Sequence, residues 1–297
     1  DRFPHEREGI TKFYGACRKV FNCLDSMPLL SIEDPTYLFK VFLKAPLSCL
    51  GLARWLPINA GDVAKKFIKD PELLKFIDIE CFCWSVMPAL KTPMINAGMV
   101  FTDRHVGGIN YPKGGVGTIA EKLVKGLEKL GSKIRYKANV QEIMIKNNQA
   151  VGVRLINGEE LFAKTIISNS TRWDTFGLNN VKKGLVKQKF VGKNELVWSK
   201  NYKPSPSFVS IHIGVDKNII KSNFNCHHII VDKWDELEEE KGVIFISIPT
   251  LLDKNLAPEG KHIVHAFTPS SINEWENLSR KEYLKKKEEY FEFIINK

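Results

Sequence analysis

Residues 107–176 constrain the fold of this chain more than any other part of it. They open with a glycine-rich loop, Gly107-Gly108-Ile109-Asn110-Tyr111-Pro112-Lys113-Gly114-Gly115-Val116-Gly117, and close on Ser168-Asn169 and Trp173-Asp174-Thr175-Phe176. Between them, Ile119, Leu123, Leu127 and Leu130 form a stripe at helical spacing, and Gly131 supplies a C-terminal stop. Residues 133–138 alternate, and residues 140–145 continue extended. Asn147-Asn148 then turns the chain into 150–155, and Asn157-Gly158 signals a second tight turn before Leu161-Phe162-Ala163. Residues 165–168 read as a short apolar strand. Loop, helix and strands in this order predict an α/β (α+β) sheet domain of the kind that backs a cofactor.

The glycine loop has two physical readings. Gly115-Val116-Gly117-Thr118-Ile119-Ala120 matches the letters of the dinucleotide fingerprint. That fingerprint needs a buried strand leading straight into the loop, and Asn110-Tyr111-Pro112-Lys113 is not one. The phosphate-cradling Gly-Lys-Ser/Thr pattern is absent as well. One reading keeps a backbone with free N–H groups at a helix N-terminus, suited to close approach by a large ligand or an anion. The other is a tight turn that lets the helix pack on its sheet.

The first hundred residues are helical by pattern. Residues 10–24 place Ile10, Phe13, Tyr14, Cys17, Val20 and Phe21 on one face. Ser31-Ile32-Glu33-Asp34-Pro35 and Asp70-Pro71-Glu72 carry helix-start chemistry, an acidic cap followed by proline in the first turn. Residues 37–56 are strongly apolar but broken by Lys40, Lys44, Pro46 and Arg54, which is poor for a spanning helix of ~20 apolar residues. They read either as a helix pair packed in the core or as a surface that dips into lipid. Residues 179–206 are Lys-rich and weakly periodic, with Lys182-Lys183 inside them, and read as a linker holding one amphipathic element around residues 185–197.

Beyond that linker, residues 207–215, 226–231, 243–248 and 261–268 read as strands and residues 279–297 as a helix, a second and mixed sheet domain. Alternation puts Phe208, Ser210 and His212 on one strand face and Ile263, His265 and Phe267 on one face of another.

A net charge of +10 over 297 residues makes the surface basic, but the lysines are dispersed and no nucleic-acid motif is present, so no nucleic-acid partner is expected. The six cysteines are scattered as free core thiols are, and no disulfide framework is expected. Cys81-Phe82-Cys83 lacks the two-residue spacing of a zinc or redox motif, and adjacent His227-His228 point to opposite strand faces, so no metal is expected. His105, in Asp103-Arg104-His105 just before the glycine loop, is the one weak catalytic candidate; the catalytic group is otherwise unknown. The chain opens on Asp1 without a signal or transit sequence and stops inside a helical pattern, so it reads as an internal fragment of a longer protein.

The strings Phe3-Pro4-His5-Glu6-Arg7, Thr92-Pro93-Met94-Ile95-Asn96-Ala97, Gly107-Gly108-Ile109-Asn110-Tyr111-Pro112, Ala163-Lys164-Thr165-Ile166-Ile167-Ser168-Asn169 and Leu256-Ala257-Pro258-Glu259-Gly260 resemble the carotenoid isomerase branch of the phytoene-desaturase-like flavoproteins. The resemblance implies an amine-oxidase-like two-domain flavoprotein fold. Residues 1–105 would be a mainly helical, substrate- or membrane-facing segment, residues 106–180 part of an incomplete FAD domain, and residues 181–297 the sheet and terminal helix of a substrate domain. It also implies redox-neutral conversion of poly-cis lycopene to the all-trans form with reduced FAD, NAD(P)H as an indirect reductant, and peripheral attachment to a plastid or cyanobacterial membrane. Val140 would contact adenine through its backbone, and Gly114, Gly115, Ser168 and Asn169 would lie close to the flavin. The family's N-terminal dinucleotide fingerprint and C-terminal Gly-Asp motif do not occur in these residues, so the fragment alone is expected to be inactive. Two alternatives stand beside this reading. One is a carotene desaturase with FAD; the other is a flavin-free fragment that only binds carotenoid or membrane.

Overall fold

A computed structural model describes residues 2–27, 34–178, 183–202 and 205–297. Ser31, Ile32 and Glu33 of the expected helix start, Lys182, and parts of the 179–206 linker lie outside the described residues. The chain divides into two units, Asp1–Val116 with Pro206–Lys297, and Gly117–Ser205.

The first unit begins with helices α1 (Arg7–Asp25), α2 (Pro35–Lys44), α3 (Pro46–Ala53), α4 (Ala60–Phe67), α5 (Pro71–Ser85) and α6 (Met94–Val106). Local chemistry fixes their starts. The Asp70 carboxylate accepts the N–H groups of Glu72 and Leu73 at 2.9 and 3.1 Å, with Pro71 in the first turn. Asp34 does the same for Thr36 and Tyr37 at 2.9 and 3.2 Å. Helices α1 and α6 form the centre of a core built from Phe13, Cys17, Val20, Met94, Ala97 and Phe101, with Ala60, Ala64 and Ile77 packed around them. Gly98 permits their close crossing: a Cβ there would lie 2.5 Å from the Val20 Cβ. Phe13 and Phe101 meet edge to face at 5.4 Å, a favoured aromatic geometry.

The apolar stretch 37–56 packs on the core only in part: Val41 is buried, and Leu52 and Trp55 lean on the core of the first unit. Helices α2 and α3 meet at a bend of 116°, α2 buries only Val41, and α3 buries no residue. Leu43 and Leu47 are 64% and 83% exposed, and Phe39, Phe42 and Leu50 are exposed beside them. Among the described residues no single helix is long and apolar enough to cross a membrane.

The same unit closes with an antiparallel sheet of β4 (Ser207–Asp216), β5 (His227–Val231), β6 (Val243–Ser247) and β7 (Lys261–Ser270), in the order β4-β7-β6-β5, and a terminal helix α10 (Arg280–Ile295). (Strands β1 to β3 and helices α7 to α9 belong to the second unit.) Alternation decides what each face covers. Ile211, Ile230, Ile244, Ile246 and Ala266 pack with Phe293 and Ile294 of α10. On the opposite face Phe245 stacks on Phe82 of α5 at 6.2 Å, among Ile79, Val243 and Phe267. A reciprocal cap starts α10: the Ser279 hydroxyl accepts the Glu282 N–H, and the Ser279 N–H donates to the Glu282 carboxylate at 2.8 Å.

The second unit holds α7 (Gly117–Lys129), a three-stranded antiparallel sheet of β1 (Val140–Lys146), β2 (Gln149–Leu155) and β3 (Glu160–Phe162), and helices α8 (Arg172–Phe176) and α9 (Lys193–Asn201). Positive φ at both Asn147 and Asn148 makes the first hairpin turn, and Gly158 at φ 88° makes the second. Gly131, at φ 82°, ends α7, and the Ser132 N–H closes the cap on the Leu127 carbonyl at 3.0 Å. Two expected strands are absent. Residues 133–138 and 165–168 pair with no sheet edge, and Lys137 at φ 54° interrupts the alternation of the first. An extended run becomes a strand only where a neighbouring edge accepts its hydrogen bonds. The apolar stripe of α7 is exposed, with Leu123 at 65% and Ile119, Leu127 and Leu130 also in the open.

Candidate functional site

The glycine loop leaves α6 at Gly107. Gly108, Gly114 and Gly115 all take left-handed backbone, at φ 73°, 86° and 88°. Glycine takes left-handed backbone without the steric cost a side chain brings, and the loop uses it twice in succession. The Gly114 N–H donates to Asp253 Oδ2 at 2.7 Å, and the Gly115 N–H to the Pro112 carbonyl at 2.9 Å. Asp253 also accepts the Asn255 N–H at 3.0 Å, and these two amides, Gly114 first, hold its carboxyl below the usual carboxylate range. Gly115 is buried against Leu256: a Cβ added to it would come within 3.0 Å of Leu256 Cδ2 and 3.8 Å of the Tyr111 hydroxyl.

The amides of Gly114 and Gly115 are therefore engaged within the protein, which corrects the expectation of free N–H groups there. The loop is braced from 139 residues away by Asp253. No local pattern in the sequence marks that partner, although Leu256 falls in the string Leu256-Ala257-Pro258-Glu259-Gly260 that carries part of the family resemblance.

The other cofactor candidates lie in the second unit. Val140 opens β1 and stands opposite Leu155 of β2, with a bulge just after it. Ser168 shares a 2.9 Å hydrogen bond with the Thr175 hydroxyl, tying the 165–169 segment to α8. Asn169 is exposed. The structure thus puts Gly114 and Gly115 in one unit and Val140, Ser168 and Asn169 in the other.

His105 sits in the last turn of α6. Its ring meets Tyr14 of α1 edge-on at 5.2 Å, and with Ile10, Arg18 and Thr102 it lines a cleft of about 430 Å³.

Strand register reveals a constellation that single-strand reading did not assemble. His212 of β4 is opposite His265 of β7, His265 is opposite Ser247 of β6, and Ser247 is opposite His227 of β5. One rung of the sheet therefore carries three imidazoles and a hydroxyl on one face. His212 and His265 stack at 4.3 Å with their planes 8° apart, and His227 Nδ1 lies 3.0 Å from Ser247 Oγ. Burial first, and His212 second, pull the His265 pKa below its ordinary value. The next rung places Phe267 against Phe245, ring centres 4.9 Å apart. His228 is turned away and pairs with the Asn225 carbonyl at 2.9 Å.

Burial pushes the thiols of Cys17 and Cys81 up to about 12, so both stay protonated and unreactive at neutral pH. Among the described residues no group of three or more His, Cys, Asp or Glu side chains could hold a metal ion.

The chain is 57% identical over 297 residues to "Prolycopene isomerase, chloroplastic" of Daucus carota, covering 100% of this chain and 47% of that protein. The prolycopene isomerases are homologues of this chain over its full length. The Arabidopsis thaliana protein of the same name is 55% identical over 297 residues, 100% of this chain and 49% of its own. The chain thus spans about half the length of these relatives. A more distant relative, the 4,4'-diapolycopen-4-al dehydrogenase of Metabacillus indicus, is 28% identical over 91% of this chain and 52% of its own length. Among solved structures, an oxidoreductase from Methanosarcina mazei shares the fold with a TM-score of 0.53 at 19% identity, over 90% of this chain and 58% of that one. No protein-family profile matches the chain.

Proposed function

We propose that this polypeptide takes part in flavin-dependent cis–trans isomerisation of poly-cis lycopene to the all-trans form, in a plastid. The observation that carries the reading is the identity of 57% and 55%, without interruption across the chain, to proteins named as chloroplastic prolycopene isomerases. The substrate is a pure hydrocarbon with no polar handle, so the protein can recognise it only through shape and apolar contact.

The cofactor we propose is FAD, with NAD(P)H as an indirect reductant. The residues here fit it in part. Val140 begins β1, an edge strand, and is half-buried. Gly114 and Gly115 carry no side chains and present a smooth backbone. Their N–H groups are spent on Asp253 and Pro112, so this loop would back the flavin by shape and would not cradle its phosphates. Reduced flavin, when bound, supplies reversible electron exchange that lowers a double bond's order with no net redox change. The chain's own part is to hold the loop rigid through Asp253 and Leu256, and to fix the 168–175 turn through the Ser168–Thr175 pair.

The exposed apolar surface of α2 and α3, flanked by exposed Lys40 and Lys44, supports peripheral contact with a membrane that stores the polyene. The test is the intact protein with FAD in liposomes loaded with poly-cis lycopene, with and without reductant. All-trans lycopene should accumulate only under reducing conditions. An unchanged isomer profile would overturn the reading, and a longer chromophore formed at the expense of an electron acceptor would point to a desaturase.

A further inference from the structure

The cleft between α1 and α6 has a composition that the isomerase reading does not use. The two helices run antiparallel, with Gly98 against Cys17 and Val20, Phe101 against Phe13 and Tyr14, and His105 against Tyr14. Ile10, Tyr14 and Arg18 recur every four residues along one face of α1, and Thr102 and His105 are three apart on α6. These five side chains line a space of about 430 Å³.

Four of the five can donate a hydrogen bond, and their donors are unspent. The Thr102 hydroxyl is buried, in a residue 3% exposed, and has no partner. That oxygen is closed to solvent, so the donors open to the cleft are those of Tyr14, Arg18 and His105. Among the described residues Arg18 makes no ion pair, and neither the Tyr14 hydroxyl nor the His105 ring makes a hydrogen bond. The nearby cation that is neutralised is Arg104, which pairs with Glu80 at 2.6 Å. No carboxylate lines the cleft. A guanidinium, a phenol hydroxyl and an imidazole with no carboxylate beside them form a donor set complementary to an oxyanion. The space exceeds what bare phosphate fills, and Ile10 adds an apolar wall, so the oxyanion belongs to a larger organic body.

We propose that the α1–α6 cleft binds a phosphate-bearing ligand, with Arg18 as the charge partner and Tyr14 and His105 as hydrogen-bond donors. The proposal is independent of the isomerase reading. Two probes distinguish the source of the phosphate. Inorganic phosphate is titrated into the intact protein at constant ionic strength, following the His105 ring resonances. Vesicles of phosphatidylcholine, with and without phosphatidic acid, are then compared by the same signals. Saturable shifts with inorganic phosphate identify a free phosphate compound; shifts only with phosphatidic acid identify a lipid headgroup. Either should weaken about tenfold or more in Arg18→Gln, and by a smaller factor in Tyr14→Phe, which removes the hydroxyl and keeps the ring. Arg18 is exposed, so R18Q leaves the core untouched, and R18K should restore part of the binding. Absence of saturable shifts with both probes, or equal affinity in wild type and R18Q, overturns the proposal.

Discussion

At the scale of single residues, two features carry consequences that can be measured. Gly115 combines φ 88° with a Leu256 methyl at the edge of contact. Gly115→Ala forces a side chain into left-handed backbone, which costs about 1–2 kcal/mol, and presses on Leu256 as well. Urea unfolding should show that loss, while the same change at Gly126, on the open face of α7, should not be destabilising. The second feature is the His212–His265 stack. Because the His265 pKa is lowered, the unfolded chain binds a proton that the native chain resists. Stability from this group is present above the ordinary imidazole pKa of about 6.5 and is lost as pH falls through the lower native value. His212→Asn removes the second cause and leaves burial, the larger one. NMR titration should therefore show the His265 pKa rising part of the way towards its ordinary value.

At the scale of elements, what was legible in the sequence was what is locally determined. The Asp70-Pro71 start of α5, the alternation of β4 and β7, and the turns at Asn147-Asn148 and Asn157-Gly158 all depend on residues a few positions apart. The strands expected at 133–138 and 165–168 failed because a strand also needs a partner edge, which no local pattern specifies. Asp253 bracing Gly114 was unreadable for the same reason, as was the histidine rung, which exists only once four strands are in register. Exposure of α2 and α3 likewise depends on what the rest of the fold covers, and so both readings of residues 37–56 stood side by side; Leu52 and Trp55 pack on the core while Phe39, Phe42, Leu43, Leu47 and Leu50 stay exposed. If that surface meets lipid, Leu43→Glu with Leu47→Glu should cut liposome co-flotation of the intact protein several-fold, with the circular dichroism spectrum unchanged. The effect follows from placing two charges where apolar side chains enter the interface. Equal flotation of variant and wild type would remove the membrane assignment from these helices.

At the scale of the whole molecule, Gly114 and Gly115 belong to the first unit, and Val140, Ser168 and Asn169 to the second. The resemblance was readable because long strings, rather than lone glycines, carried it, and the 57% identity to the Daucus carota protein runs over all 297 residues. The cofactor role proposed for those residues rests on that resemblance alone, since the amides of Gly114 and Gly115 are engaged within the protein. The central claim is that the reaction changes geometry and leaves composition alone. Mass-resolved chromatography of lycopene isomers after anaerobic incubation of the intact protein with reduced FAD tests it most directly. The account predicts an all-trans product of unchanged mass and an isomer ratio that moves with time. A product lighter by a pair of hydrogens would contradict it.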